Sequence, residues 1–173
     1  MAQPKAGSAK KPEIIDMPAQ KMAVISGKGA PDKVFSEVAS ALYGSVYTLK
    51  FDLKKKGLPT FKVGKLRARY PDAHLVPKEE WTIITGLPLP DDTASLTQKV
   101  SGKEVKIETW QYGTVAQVLH LGAYDQEYTT IERLLAFIEQ NGYEIAGTHE
   151  EEYLTTPDAK VIKTIIRYPV KEK

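Results

Sequence analysis

The stretch HLGAYDQEYTTIERLLAFIEQNGYEIAGTHEEEYL, residues 120–154, contains the pattern that decides the fold. Gly122 predicts the end of a strand, because glycine tolerates a positive φ, and Asp125 predicts the N-cap of a helix. Asn141-Gly142 predicts the end of that helix, and a further strand follows it. The apolar face of the predicted helix is formed by Tyr128, Ile131, Leu134, Leu135 and Ile138.

The first half of the chain repeats this turn. Gly29-Ala30-Pro31-Asp32 and Gly122-Ala123-Tyr124-Asp125 both read G-A-x-D, and they lie 93 residues apart. Lys21–Gly29 predicts a strand before the first copy. After that copy, with Asp32 as N-cap, an apolar stripe from Val34 predicts a helix that ends at Lys54–Gly57. We interpret the repeated order of strand, turn and helix as a duplication.

The remaining segments complete two similar halves. The further predicted strands are Phe61–Tyr70, Glu80–Leu89, Glu104–Tyr112, Thr114–Leu121, Tyr143–Leu154 and Lys160–Val170, with a hairpin turn at Gly113. This order predicts an α+β fold in which duplicated β-α-β-β halves form a mostly antiparallel sheet with two main helices and a central ligand cleft. We expect a disordered basic tail at 1–12 and one domain at 13–173. Within that domain, half one is about 18–90, the linker 91–103 and half two 104–170.

Composition excludes several classes of function. The chain of 173 residues has a net charge of +2, which argues against nucleic acid or an acidic membrane as partner. It has no cysteine, no phosphate-binding or dinucleotide-binding loop, and no helix-turn-helix pattern, so we predict no direct DNA binding and no cofactor. Its three histidines lack helical metal-ligand spacing, so no metal is predicted. Without a signal peptide or an apolar span, the cytoplasm is the expected location, and the oligomeric state is left open.

Strand alternation sorts three consecutive glutamates. Residues two apart share a face of a strand, so His149, Glu151 and Tyr153 are predicted to point together. Glu150 and Glu152 are then predicted to face solvent. A carboxylate beside aromatic rings is suited to two tasks: it is a counter-ion for a lipophilic cation, or a general base that activates water.

Four segments of the second half, and two shorter stretches of the first half, resemble a known family. The four segments of the second half are His120–Asp125, Asn141–Gly147, His149–Pro157 and Lys163–Val170. They match the patterns H-x-G-x-Y-[DE], N-G-Y-x-x-x-G, H-x-E-x-Y-x-x-x-P and K-T-x-x-R-x-P-V of the GyrI-like (AraC effector-binding) family, in its stand-alone branch. The resemblance implies binding of hydrophobic, planar or cationic small molecules in a cleft between pseudo-symmetric halves. Two alternatives stay open: hydrolysis of cyclopropane-containing DNA-alkylating compounds by Glu151 and Tyr153, and a gyrase-modulator-like protein interaction.

One departure from the family weighs against the hydrolase alternative. Where that branch carries a glutamate in its second strand, this chain has Leu66. The remaining predicted ligand-binding residues are aromatic rings and imidazoles, since these stack on flat molecules or lie over cations. They are Trp81, Trp110, Tyr43, Tyr47, Tyr124, His120 and His149.

Overall fold

A computed structural model describes residues 11–173, so the predicted tail at 1–12 lies outside the described residues except for its last two positions. In chain order the strands and helices are β1 (Glu13–Met17), β2 (Gln20–Lys28), α1 (Pro31–Lys55), β3 (Arg67–Arg69), β4 (Thr82–Pro88), β5 (Lys106–Trp110), β6 (Gly113–Leu121), α2 (Glu127–Gln140), β7 (Tyr143–Ile145), β8 (Glu150–Tyr153) and β9 (Lys163–Glu172). They form two compact units. The first unit is Gln20–Trp110, and the second combines residues 11–19 with 111–173.

The first unit is an antiparallel sheet covered by one helix. Its strands lie in the order β3-β4-β2-β5, and α1 packs on β2 and β4. A Cβ atom at Gly27 would lie 2.9 Å from Val34 Cγ1, so glycine permits the helix to approach β2 this closely. The buried face of α1 contains Val34, Val38, Leu42 and Val46, which repeat at helical spacing as the sequence predicts.

The second unit has the same design. Its strands lie in the order β1-β6-β9-β8, with β7 paired to β9, and α2 packs on β6 and β7. Its main core consists of Ala116, Val118, Leu134, Ile138, Ile166 and Val170. These side chains come from the inner strands β6 and β9 and from α2, so the core lies beneath the helix.

The outer strands are exchanged with respect to chain order. β1 precedes β2 in the chain but pairs with β6, while β5 precedes β6 but pairs with β2. The predicted hairpin at Gly113 is therefore wrong, although Gly113 does have a positive φ of 67°. Each unit contains a helix after an inner strand, and the strand pairs β1–β6, β2–β4, β3–β4, β6–β9 and β8–β9 are antiparallel. The predicted α+β fold with two main helices is confirmed.

The helix starts differ from the prediction. Ala30 and Gln126 occupy the N-cap positions without a side-chain cap, and Asp125 lies in a 3-10 turn, Tyr124–Gln126. The buried residues of α2 are Glu127, Leu134 and Ile138, so its buried face is turned relative to the predicted one. Tyr128 is 72% exposed and belongs to the surface.

Two further differences concern the strands and the membrane. The predicted strand Phe61–Tyr70 forms only at Arg67–Arg69, since only these three residues pair with β4. No helix within residues 11–173 is long and apolar enough to cross a membrane.

Candidate functional site

The register of β8 against β9 gives each glutamate its direction. Glu151 lies opposite Ile166, and Ile166 belongs to the core beneath α2. Glu151 therefore faces the helix side of the second unit, and only 8% of it is exposed. Side chains two residues apart share a strand face, so His149 and Tyr153 accompany it, as the sequence predicts.

Glu151 is held by an imidazole and a phenol. His149 Nε2 lies 2.6 Å from Glu151 Oε2, and the Tyr153 hydroxyl donates to Oε1 at 3.4 Å. On its other side, the His149 ring contacts Tyr168 edge to face, with Nδ1 2.8 Å from the hydroxyl oxygen. Tyr168 therefore fixes the imidazole so that Nε2 points at the carboxylate.

A second carboxyl group lies against the first. Glu127 is the first residue of α2, it is 8% exposed, and it is hydrogen bonded to Glu151. Burial, followed by the charge and the hydrogen bond of Glu151, raises the pKa of Glu127 to about 9. Two like charges this close in a buried place are costly, so one carboxyl keeps its proton at neutral pH. Among residues 11–173, no donor reaches Glu127 Oε1, which is buried.

Tyrosine rings surround these acids. Tyr124 contacts Tyr153 edge to face with ring centroids 5.8 Å apart, and 38% of Tyr124 is exposed. Burial, with Glu127 and Glu151 adding to it, raises the pKa of Tyr124. Burial and then the charges of Glu151 and Glu127 raise the pKa of Tyr168 to about 12. The phenols thus stay protonated at neutral pH and serve as hydrogen-bond donors.

His120 has a structural environment beside this site. Its Nδ1 lies 2.7 Å from Thr130 Oγ1, and its Nε2 lies 3.0 Å from the carbonyl oxygen of Ala123. Both ring nitrogens are thereby engaged, and they tie the end of β6 to the start of α2. The neighbouring Thr164, opposite both His120 and Tyr153 in the sheet, has a buried hydroxyl with no hydrogen-bond partner in the described part of the chain.

The other face of β8 contains a buried ion network. Arg167 Nη1 donates to Glu150 at 2.7 Å and to Glu152 at 3.3 Å, and Tyr112 donates to Glu150 at 3.0 Å. Burial alone would lower the pKa of Arg167, but the two carboxylates outweigh it and the pKa is raised. The prediction that Glu150 and Glu152 face solvent is wrong, because a cationic partner in β9 permits their burial.

Four of the predicted ligand-binding rings lie in the first unit. Trp81 contacts Tyr70 edge to face at 5.8 Å, and its Nε1 donates to a backbone carbonyl. Trp110 is 3% exposed, with the guanidinium of Arg69 4.0 Å from its ring centroid. Tyr43 and Tyr47 stack in a row along α1 with centroids 6.4 Å apart. Their roles in ligand binding stay predictions.

Sequence reasoning missed Glu127 and Tyr168. A signal for Glu127 was present, since Glu127, Ile131, Leu134 and Ile138 repeat at i, i+4, i+7 and i+11, which places an acid on an apolar stripe. Tyr168 shares a strand face with Ile166, which marks it as inward-facing. Its contact with His149 joins two strands and has no signal in the sequence.

The resulting arrangement is chemically specific. One side-chain atom from each of Glu127, His149 and Glu151, here called the Glu–His cluster, lies within 4.8 Å of the others. The cluster offers two carboxylates and an imidazole beside phenol donors. Such a set binds a cation, moves a proton to or from a bound molecule, or holds a metal ion.

Fold and site together define an α+β protein with a duplicated sheet-and-helix unit and a buried carboxylate site ringed by tyrosines. The model of a family described as the GyrI-like small molecule binding domain matches residues 10–171. The chain belongs to this family. No curated protein sequence matches it.

Solved structures show the same fold. An uncharacterized conserved protein from Listeria innocua has a TM-score of 0.82 at 24% identity, with 95% of this chain and 94% of that chain covered. A hydrolase from the same organism has a TM-score of 0.80 at 23% identity, with 94% and 93% covered. The EcmrR C-terminal domain has a TM-score of 0.64 at 13% identity, with 94% and 98% covered.

Proposed function

We propose that this small-molecule-binding domain takes a hydrophobic molecule with a positive charge, and that Glu151 is the counter-ion. The observation that carries the proposal is the burial of Glu151 among tyrosines, beside His149 but without a lysine or arginine partner. Within residues 11–173, its contacts are His149, Tyr153 and Glu127, and no lysine or arginine pairs with it. A buried carboxylate is costly unless a cation compensates it, so a cationic ligand gains affinity here.

The surrounding rings support the same class of ligand. Tyr124 and Tyr153 present aromatic surface beside the carboxylate, and the partial exposure of Tyr124 places part of this aromatic surface at the protein surface. Aromatic faces attract cations, and their carbon atoms bury the apolar part of the same molecule. A neutral Glu127 leaves a single negative charge for a monovalent cation.

Fluorescence titration with rhodamine 6G, a planar lipophilic cation, tests the proposal. Glu151→Gln removes the charge with little change of shape, and we expect affinity to fall roughly ten- to hundredfold, as for a lost charge-assisted contact. Glu132→Gln is the matched control, since it makes the same change on the exposed surface of α2. Equal affinity of the wild type and Glu151→Gln would refute the counter-ion role.

A second candidate function rests on the His149–Glu151 contact. An imidazole 2.6 Å from a carboxylate oxygen, and itself fixed by Tyr168, is an arrangement that serves proton transfer. In this hypothesis Glu151 activates water, the Tyr153 hydroxyl polarises a strained electrophile, and the chain hydrolyses cyclopropane-containing alkylating compounds.

Mass spectrometry of the products tests this second function. We expect turnover that Glu151→Gln abolishes and Tyr153→Phe slows. Turnover no faster than in buffer, with binding retained, would leave only the binding function.

A further inference from the structure

We propose that the Glu–His cluster of Glu127, His149 and Glu151 is a binding site for a divalent transition-metal ion. One donor atom from each residue lies within 4.8 Å of the others, which is the reach needed to surround one ion. A second observation points to a ligand: Glu127 is more than nine-tenths buried, and within the described residues no donor reaches its Oε1, although its carboxyl is hydrogen bonded to Glu151. A buried carboxylate oxygen that accepts from no donor is rare, and a metal ion would satisfy it.

The imidazole is already oriented for this role. Tyr168 holds Nδ1 of His149 at 2.8 Å, and Nε2 therefore points at the Glu151 carboxylate, where an ion would lie. A histidine ligand usually donates its other ring N–H to an acceptor, which fixes the ring and its tautomer, and the Tyr168 hydroxyl oxygen is placed to accept from Nδ1. Tyr168 is a positioning residue in this site.

Charge balance favours a doubly charged ion. Carboxyl groups bind metal ions in their deprotonated form, so a bound ion displaces the proton that Glu127 holds in the metal-free protein, and the two carboxylates then bring a charge of −2. A divalent ion neutralises both at once. Arg167 of β9 does not neutralise the Glu–His cluster. It lies on the opposite face of the sheet, where it is already paired with Glu150 and Glu152.

The donor set selects the kind of metal. Imidazole nitrogen with carboxylate oxygen suits Zn²⁺ or Mn²⁺, whereas Ca²⁺ and Mg²⁺ prefer oxygen alone. Three protein ligands leave at least one coordination position for water or a bound molecule. The inference goes beyond the proposed function because it needs Glu127 and His149, which a counter-ion role for Glu151 does not.

The test measures Zn²⁺ binding to the full, chelator-treated chain by isothermal titration calorimetry. We expect one equivalent bound, with affinity reduced more than about a hundredfold by His149→Gln and by Glu127→Gln. Tyr168→Phe should reduce it about ten- to hundredfold, as for loss of a supporting partner. His74→Gln and Glu132→Gln are the matched controls and should bind as the wild type does. Circular dichroism confirms that each variant is folded.

Two outcomes overturn the proposal. One is the absence of binding at micromolar Zn²⁺, and the other is unchanged affinity in folded His149→Gln or Glu127→Gln. X-ray absorption of the Zn²⁺ complex should show one imidazole, and its absence would also overturn it. Glu127→Gln should still bind rhodamine 6G, since Glu151 is intact. A wild-type chain that binds rhodamine 6G but no Zn²⁺ refutes this inference alone. A wild-type chain that binds Zn²⁺, with equal dye affinity in the wild type and Glu151→Gln, refutes only the counter-ion role.

Discussion

Replacing Glu127 by glutamine should change how the stability of the metal-free protein depends on pH. The folded state raises the pKa of Glu127 from its ordinary value of 4.5 to about 9. Between these two pH values the folded chain holds one proton more than the unfolded chain. The free energy of unfolding therefore falls as pH rises, and the loss is complete once the pH exceeds the folded-state pKa.

The magnitude follows from proton linkage. A difference of one bound proton changes the free energy of unfolding by about 1.4 kcal/mol per pH unit, or about 2.7 kcal/mol between pH 6 and pH 8. Glutamine has the shape of the protonated acid and does not titrate. Glu127→Gln should therefore gain on the wild type by this amount over the interval, while other titrating groups contribute similarly to both proteins.

Urea unfolding at pH 5 to 9 in the presence of a chelator measures this difference. Glu132→Gln, which removes an exposed carboxylate from the same helix, should follow the wild type closely. Parallel stability curves for the wild type and Glu127→Gln between pH 6 and 8 would show that Glu127 is ionised in the folded state. The reasoning about its burial beside Glu151 would then be wrong.

Two further predictions concern packing and charge. Arg167→Met should cost about 3–5 kcal/mol of unfolding free energy in urea, because Glu150 and Glu152 lose their ion pairs with Arg167; added glutamines at both positions should restore most of it, and no restoration would refute the pairing argument. Gly27→Ala should cost about 1–3 kcal/mol, since its Cβ would lie 2.9 Å from Val34 Cγ1. Thermal unfolding should show a smaller cost of Gly27→Ala in a Val34→Ala background, and equal costs would exclude this clash.

The features that the sequence predicted best are those that depend only on neighbouring residues in the chain. Alternation along one strand correctly grouped His149, Glu151 and Tyr153, because side-chain direction in a strand depends only on residue parity. The burial of Glu150 and Glu152 could not be predicted, since it depends on Arg167 in another strand, and cross-strand pairing leaves no local pattern.

The start of α2 shows the same limit. A 3-10 turn at Tyr124–Gln126 precedes the helix, and the buried face of the helix includes Glu127 but not Tyr128. The repeated G-A-x-D motif predicted where each helix follows a strand, but it did not determine the phase of the second helix. Glu127, which carries much of the chemistry proposed here, was missed although its spacing from Ile131 and Leu134 places it on the apolar stripe, because an acid is not expected on a buried face.

The exchange of outer strands has a consequence for biosynthesis. Glu13 of β1 pairs with Gln117, and Gln20 of β2 pairs with Trp110, so neither sheet can close its edge until about a hundred residues more have left the ribosome. A nascent or truncated chain ending near Leu89 presents the unpaired edge of β2, and open edges recruit other chains. Cutting the chain between its two repeated halves therefore leaves unpaired strand edges. We expect such a truncated chain to aggregate rather than to fold as an independent half.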